Sequence, residues 1–107
     1  MAAAADNDES LLRALNHPTR RKVLRHMRHS GGAVSPRRLS EVMGEPLSNI
    51  SYHVRVLFES EAISLSGTAP VRGTTEHFYI FDITEPWALA VLGVTAIGSD
   101  GVTKDAG

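Results

Sequence analysis

At helical spacing, Ser48, Asn49, Ser51, Tyr52 and Arg55 fall on one face of a single segment, with no carboxylate among them until Glu59. Hydroxyls, an amide, a phenol and a guanidinium suit the edges of bases in the major groove and the phosphates that flank them. Arg55 is the strongest single candidate, because a guanidinium pairs with guanine O6 and N7 or clasps a phosphate. The bland alternative is a solvated helix face, which any polar stripe resembles. Ile50, Val54 and Leu57 recur on the opposite side and give the segment its buried teeth. His53, beside Val54, fits a buried hydrogen-bonded histidine or a contact to the DNA backbone equally well. Arg72, next to Gly73, offers a cation to a phosphate or the minor groove, and Arg37 and Arg38 offer nonspecific phosphate contacts.

Other chemistry is poorly served. The chain has no cysteine, which removes disulfides and thiolate metal sites. His26 and His29 stand three apart on one helical face, a spacing that can hold a metal, but no cysteine or carboxylate accompanies them and a surface role is expected. No metal and no cofactor are expected. There is no Gly-rich phosphate loop, no pair of acids at useful spacing and no nucleophile elbow, and Ser51 and His53 fall on different helical faces, so an enzyme is not expected.

The elements that must hold the polar set are legible from caps and periodicity. Leu11, Leu12 and Leu15 predict a first helix from about Ser10 to Asn16. Pro18, at home in a first helical turn, predicts a second through Thr19 to His29, with Val23, Leu24 and Met27 inward and Arg20, Arg21, Lys22, Arg25 and Arg28 on the solvated side. Ser35-Pro36 predicts the N-cap and first residue of a third helix whose inward face is Leu39, Val42 and Met43, and Gly44 suits its end. The Gly44-Glu45-Pro46 break then leads into the segment of about 47–58, so the outline is a helix-turn-helix. Ala62 to Ser66 alternates apolar and polar residues, as does Thr75 to Phe81 with Phe78 and Ile80 inward; the turn-rich Gly67 to Gly73 lies between them. A hairpin over about 62–81 follows. Thr84-Glu85-Pro86 marks a last helix start, and Trp87 to Ile97 has only Gly93 and Thr95 as non-hydrophobic residues. A helix apolar on both sides needs a partner chain in a domain this small. It is too short to cross a bilayer, which takes ~20 residues.

At 107 residues, 42% hydrophobic and 21% charged, the chain is one ordinary globular domain, residues 10–97. Residues 1–9 are expected to be a disordered acidic leader and 98–107 a disordered tail; no signal peptide or membrane span is evident, and a cytoplasmic location is expected. The formal net charge of −1 becomes +3 over residues 10–97, which hold ten Lys and Arg against seven Asp and Glu. That is mildly basic, well short of a charge signature for DNA binding by itself.

Three strings carry a resemblance: ALNHPTRRKVLRHM over 14–27, LSEVMGEPLSNISYHVRVL over 39–57 and RGTTEHFYIF over 72–81. In this order the chain resembles the arsenic-repressor (ArsR) family of winged-helix transcription regulators, over roughly Leu11 to Ile83. The resemblance implies a mainly α fold with a β-hairpin wing (α+β), in the order α-α-α-α-β-β-α. It further implies a dimeric repressor that sets two recognition helices ~34 Å apart on double-stranded DNA, a pseudo-palindromic operator. The homodimer would be joined through Leu11, Leu12 and Leu15 of the first helix and Trp87, Leu89, Val91, Leu92 and Val94 of the last. Metal-sensing members carry cysteines in the recognition helix, or Asp and His on the terminal helix; this chain has neither, and no effector is assigned. Two alternatives stand: a winged helix used as a protein-interaction module, and a small-molecule-gated sensor with its pocket around Trp87.

Overall fold

The computed structural model describes residues 2–93. Its elements are α1 (Ala2–Ala14), α2 (Pro18–Ser30), α3 (Pro36–Met43), α4 (Leu47–Glu59), β1 (Ile63–Val71), β2 (Thr74–Phe81) and α5 (Pro86–Leu92). The order agrees with the expectation, and the fold is an α+β winged helix-turn-helix.

Local chemistry sets most boundaries. The Ser35 hydroxyl caps α3 by accepting from the Arg38 N–H at 3.2 Å, and Gly44 closes the helix in the left-handed region at φ 68°. In the turn to α4 the Ser40 hydroxyl donates to the Glu45 carbonyl. Before α2 the cap is the His17 ring, whose Nδ1 accepts from the Thr19 N–H at 3.1 Å ahead of Pro18. Helix α4 ends in two reverse bonds, Glu61 N–H to Phe58 O and Ala62 N–H to Leu57 O, with Glu61 at φ 67° in the role glycine usually fills.

Leu15, Leu24, Met27, Leu39, Ile50 and Leu57 form the centre of the core, each no more than 2% exposed. Fully burying a side chain of this size contributes about 1.5–3 kcal/mol. The α2 arginines are structural as well as solvated, which corrects the sequence expectation. Arg20 Nε donates to Ala14 O at 2.7 Å, Arg21 to Leu15 O at 2.8 Å and Arg25 Nε to Leu92 O at 3.1 Å. Cations thus meet the unpaired carbonyls at the ends of α1 and α5, where the helix dipole favours them. Arg28 lies over the Phe81 ring, 5.7 Å from its centre.

Several expectations are corrected. Residues 2–9, read as a disordered leader, belong to α1, since alanine has the highest helix propensity and the run is continuous with the anchored Leu11 and Leu15. The strands of the hairpin are longer and its loop shorter than expected. β1 runs through Val71 opposite Thr74, and a register shift between Leu65 and Gly67 absorbs the extra residue. Tyr79 and Phe81, not Phe78 and Ile80, pack against the core, because a bridge from Val34 pairs with Tyr79 through two 2.9 Å bonds and fixes that face inward. Val42, expected inward, is 46% exposed. Helix α5 starts at Pro86, with Glu85 in the N-cap position but no side-chain cap bond, and stops at Leu92, short of the expected Ile97, where Gly93 turns left-handed at φ 72°. Val94 and the expected tail, 98–107, lie outside the described residues. Among those residues no helix is long and apolar enough to cross a membrane.

Candidate nucleic-acid interface

Two faces of α4 are sharply different. Ile50, His53, Val54 and Leu57 are buried, whereas Ser48, Asn49, Ser51, Tyr52 and Arg55 are all exposed. Helical spacing predicts this split for every one of these residues except His53, which it leaves open. Burial of His53, 4% exposed, removes it from the candidate DNA contacts. Its Nδ1 lies 3.2 Å from an Arg20 guanidinium nitrogen, and its ring packs against His17 at 4.5 Å and edge-on against Tyr52 at 5.2 Å. Burial foremost, then the charges of His17 and Arg20, hold its pKa below the usual histidine value, while Glu45 pulls the other way.

The wing stands beside α4. A cleft of about 370 Å³ separates them, with Ser51, Arg55 and Phe58 on the helix side and Thr74, Thr75, Glu76 and His77 on the strand side. Arg37 also borders this cleft and lies 3.9 Å from Glu76, so its charge is partly answered within the protein. Arg38 is exposed and pairs with Glu41 at 3.6 Å. An exposed pair of this kind contributes little to stability and leaves the Arg38 guanidinium free to turn toward another anion. Arg72 and Gly73 form the two-residue tip, both with positive φ, at 49° and 80°. A tip of that type matches the twist of the flanking strands, and it holds the Arg72 cation away from the body of the protein.

Sequence reasoning missed Thr74, Thr75 and His77 as neighbours of the polar face. They are small or titratable residues on an alternating strand, and nothing local marks which side of the strand faces α4. It also missed a groove of about 980 Å³, bounded by Lys22, Arg25, His26 and His29 of α2, by Val42, Met43 and Glu45, and by the end of α5. The pocket expected around Trp87 is not this groove. Among the described residues no three metal-ligating side chains converge.

The proposed dimer residues divide. Leu11, Leu15 and Leu92 are buried in the protomer's own core, which corrects their assignment to a partner surface. They sit where helix meets helix within one chain, so their apolar area is already covered. Leu12 and Val91 are exposed at 57% and 46%, and Trp87 and Leu89 are half-buried.

A polar-faced second helix, a capped turn before it and a hairpin beside it define the helix-turn-helix class. The same conclusion comes from comparison, since residues 15–65, just under half of the chain, match the model of a helix-turn-helix domain family. The matched stretch runs from the turn that follows α1 through α2, α3 and α4 into β1, and so contains the whole α4 face. A domain of that class points to a DNA-binding regulator. No protein of curated function matches the chain significantly.

Proposed function

We propose that this chain is a sequence-specific DNA-binding transcriptional repressor of the ArsR type that acts as a homodimer. Helix α4 enters the major groove, with Ser48, Asn49, Ser51, Tyr52 and Arg55 at base edges and nearby phosphates. Arg37, Arg38 and Arg72 meet the backbone and give salt-dependent affinity. The observation that carries the reading is the α4 face: five neighbouring polar side chains without a carboxylate, all exposed, on a helix whose other face is locked into the core. Leu12, Trp87, Leu89 and Val91 remain as the apolar surface for a second copy, which places two recognition helices on a pseudo-palindromic operator. A cytoplasmic location follows from that role.

Selection from a random duplex pool tests the proposal. The expected outcome is an inverted repeat, lost in Arg55→Ala, for which a bidentate base contact predicts a penalty of about 1–3 kcal/mol. An unenriched pool sinks the sequence-specific reading. A second reading is favoured by Leu47 and Phe58, exposed at 41% and 43% on or beside the same face, which suit a protein partner. Binding to random duplex DNA that weakens steeply with salt separates the two, because a module reserved for protein shows no such slope.

A further inference from the structure

We propose that Arg20 and His53 form a proton-gated seat for the recognition helix: the neutral imidazole accepts the guanidinium and holds α4 in place, and proton uptake by His53 releases it. The geometry assigns the tautomer. A guanidinium has donors and no acceptor, so the 3.2 Å approach of Arg20 to His53 Nδ1 is a hydrogen bond only if Nδ1 carries a lone pair and the ring hydrogen sits on Nε2. Arg20 is itself immobilised, since its Nε donates to Ala14 O at 2.7 Å. The arginine therefore ties the end of α1 and the start of α2 to the buried face of α4.

A proton on Nδ1 replaces the acceptor with a donor that faces a donor, and sets two cations against each other in a site 4% exposed. The surroundings do not offset this. His17, from the turn before α2, stacks on the ring and is itself committed as an acceptor from the Thr19 N–H; Tyr52 packs its edge from the same helix. Among the described residues Glu45, from the turn between α3 and α4, is the acidic group that acts on the imidazole, against Arg20 and His17. Arg13 lines the neighbouring cleft beside Arg20 and adds positive charge there.

The sign follows. His53 is held neutral in the fold and takes up a proton at about 6.5 in the unfolded chain. Its contribution to stability is complete above that value and is lost as pH falls through the lower value of the folded state. Since His53 and the exposed polar set share α4, release of the seat withdraws that face as a unit. For DNA binding, a consequence that rests on the function proposed above, apparent affinity falls by up to about tenfold for each pH unit below the folded-state pKa. This runs against ordinary electrostatics, in which a protein that gains positive charge in acid is drawn more strongly to phosphates.

The test has two arms on the full chain. Ring-nitrogen NMR of ¹⁵N-histidine-labelled protein, from about pH 8 to about pH 5, reads tautomer and titration, and backbone amides of α4 read its position. The expected result is an Nε2–H tautomer and a transition below the ordinary histidine value that moves the α4 amides together. In the second arm, His53→Gln keeps an oxygen that accepts from Arg20 but takes up no proton. That variant should bind duplex DNA like the parent at neutral pH and lose the acid-induced fall in affinity. An Nδ1–H tautomer, titration that leaves the α4 amides unmoved, or an unchanged acid fall in His53→Gln overturns the seat. Absence of DNA binding at every pH instead counts against the proposed function, and the first arm still decides the seat; it also decides should His53→Gln fail to fold.

Discussion

Helix α4 and the wing both present polar residues to the same cleft, yet they are held in opposite ways. α4 is seated by side chains: Ile50 and Leu57 have no exposed surface, and Val54 is 3% exposed. The wing beyond Ile63 is held by backbone, as a two-stranded ladder from Ser64↔Ile80 to Val71↔Thr74 with only partly buried side chains along it. Its backbone tie to the body is the Val34–Tyr79 bridge, supported by Phe58 edge-on to Tyr79 at 5.6 Å, by Arg37 at 3.9 Å from Glu76 and by Arg28 over the Phe81 ring. Packing resists displacement in every direction, whereas a two-stranded ribbon bends and twists easily. In the DNA-binding role proposed above, the contrast suits α4 to reading, which demands a fixed register against base edges, and the wing to positioning, where a cation that follows the phosphates suffices.

The sharpest way to break the contrast is to unseat α4 from behind. Leu57→Ala removes a fully buried side chain and leaves a cavity, and the expected loss is about 2–5 kcal/mol in denaturant unfolding. Ser51→Ala, on the outer face of the same helix, is expected to leave unfolding within about 0.5 kcal/mol of the parent. Equal losses for the two would mean that the core does not discriminate the faces of α4 as described.

The asymmetry also explains what could be read from the chain in advance. The faces of α4, the Ser35 cap, the Pro18 start and the Gly44 stop are encoded by residues within a turn or two of one another, and each was legible. The wing was legible as a hairpin but not in its parity. His77 to Phe81 is a run of five aromatic or apolar residues in which either alternate set could face the core, and the choice is made by Val34, more than forty positions away. The same holds for His53, whose ambiguity is resolved by Arg20, 33 residues earlier. The acidic residues Asp6, Asp8 and Glu9 suggest a solvated leader, whereas the alanines that precede them favour the helix that continues into Leu11. Leu92 sits on a helix apolar on two sides, which does not reveal which side its own chain covers, and nothing local to Leu11, Leu12 and Leu15 marks which of them the chain itself buries.

A smaller effect probes the ribbon. Gly73 has φ 80° with open space around its missing Cβ, so only backbone conformation restricts substitution there. Gly73→Val should destabilise the hairpin by about 1–2 kcal/mol, and Gly73→Asn by less, because asparagine tolerates the left-handed region. Amide exchange is expected to rise in β1 and β2 and to stay unchanged in α4. Loss of protection in α4 as well would show that the wing and the helix are one cooperative unit, against the division drawn here.

The subtlest effect lies at Arg72, which holds φ 49° without being glycine. A bulky residue in that region costs stability, and glycine or asparagine would relieve it, so folding alone does not account for an arginine at the tip. Arg72→Gly should therefore leave the protein as stable as the parent or more so, by up to about 1–2 kcal/mol locally. It should also weaken DNA binding uniformly across sequences and lower the salt slope by about 1, the signature of one lost phosphate contact. Arg55→Ala contrasts at both points, with sequence preference lost and no gain in stability. If Arg72→Gly instead changes which sequences are bound, the tip reads bases, and the assignment of reading to α4 and positioning to the wing is wrong.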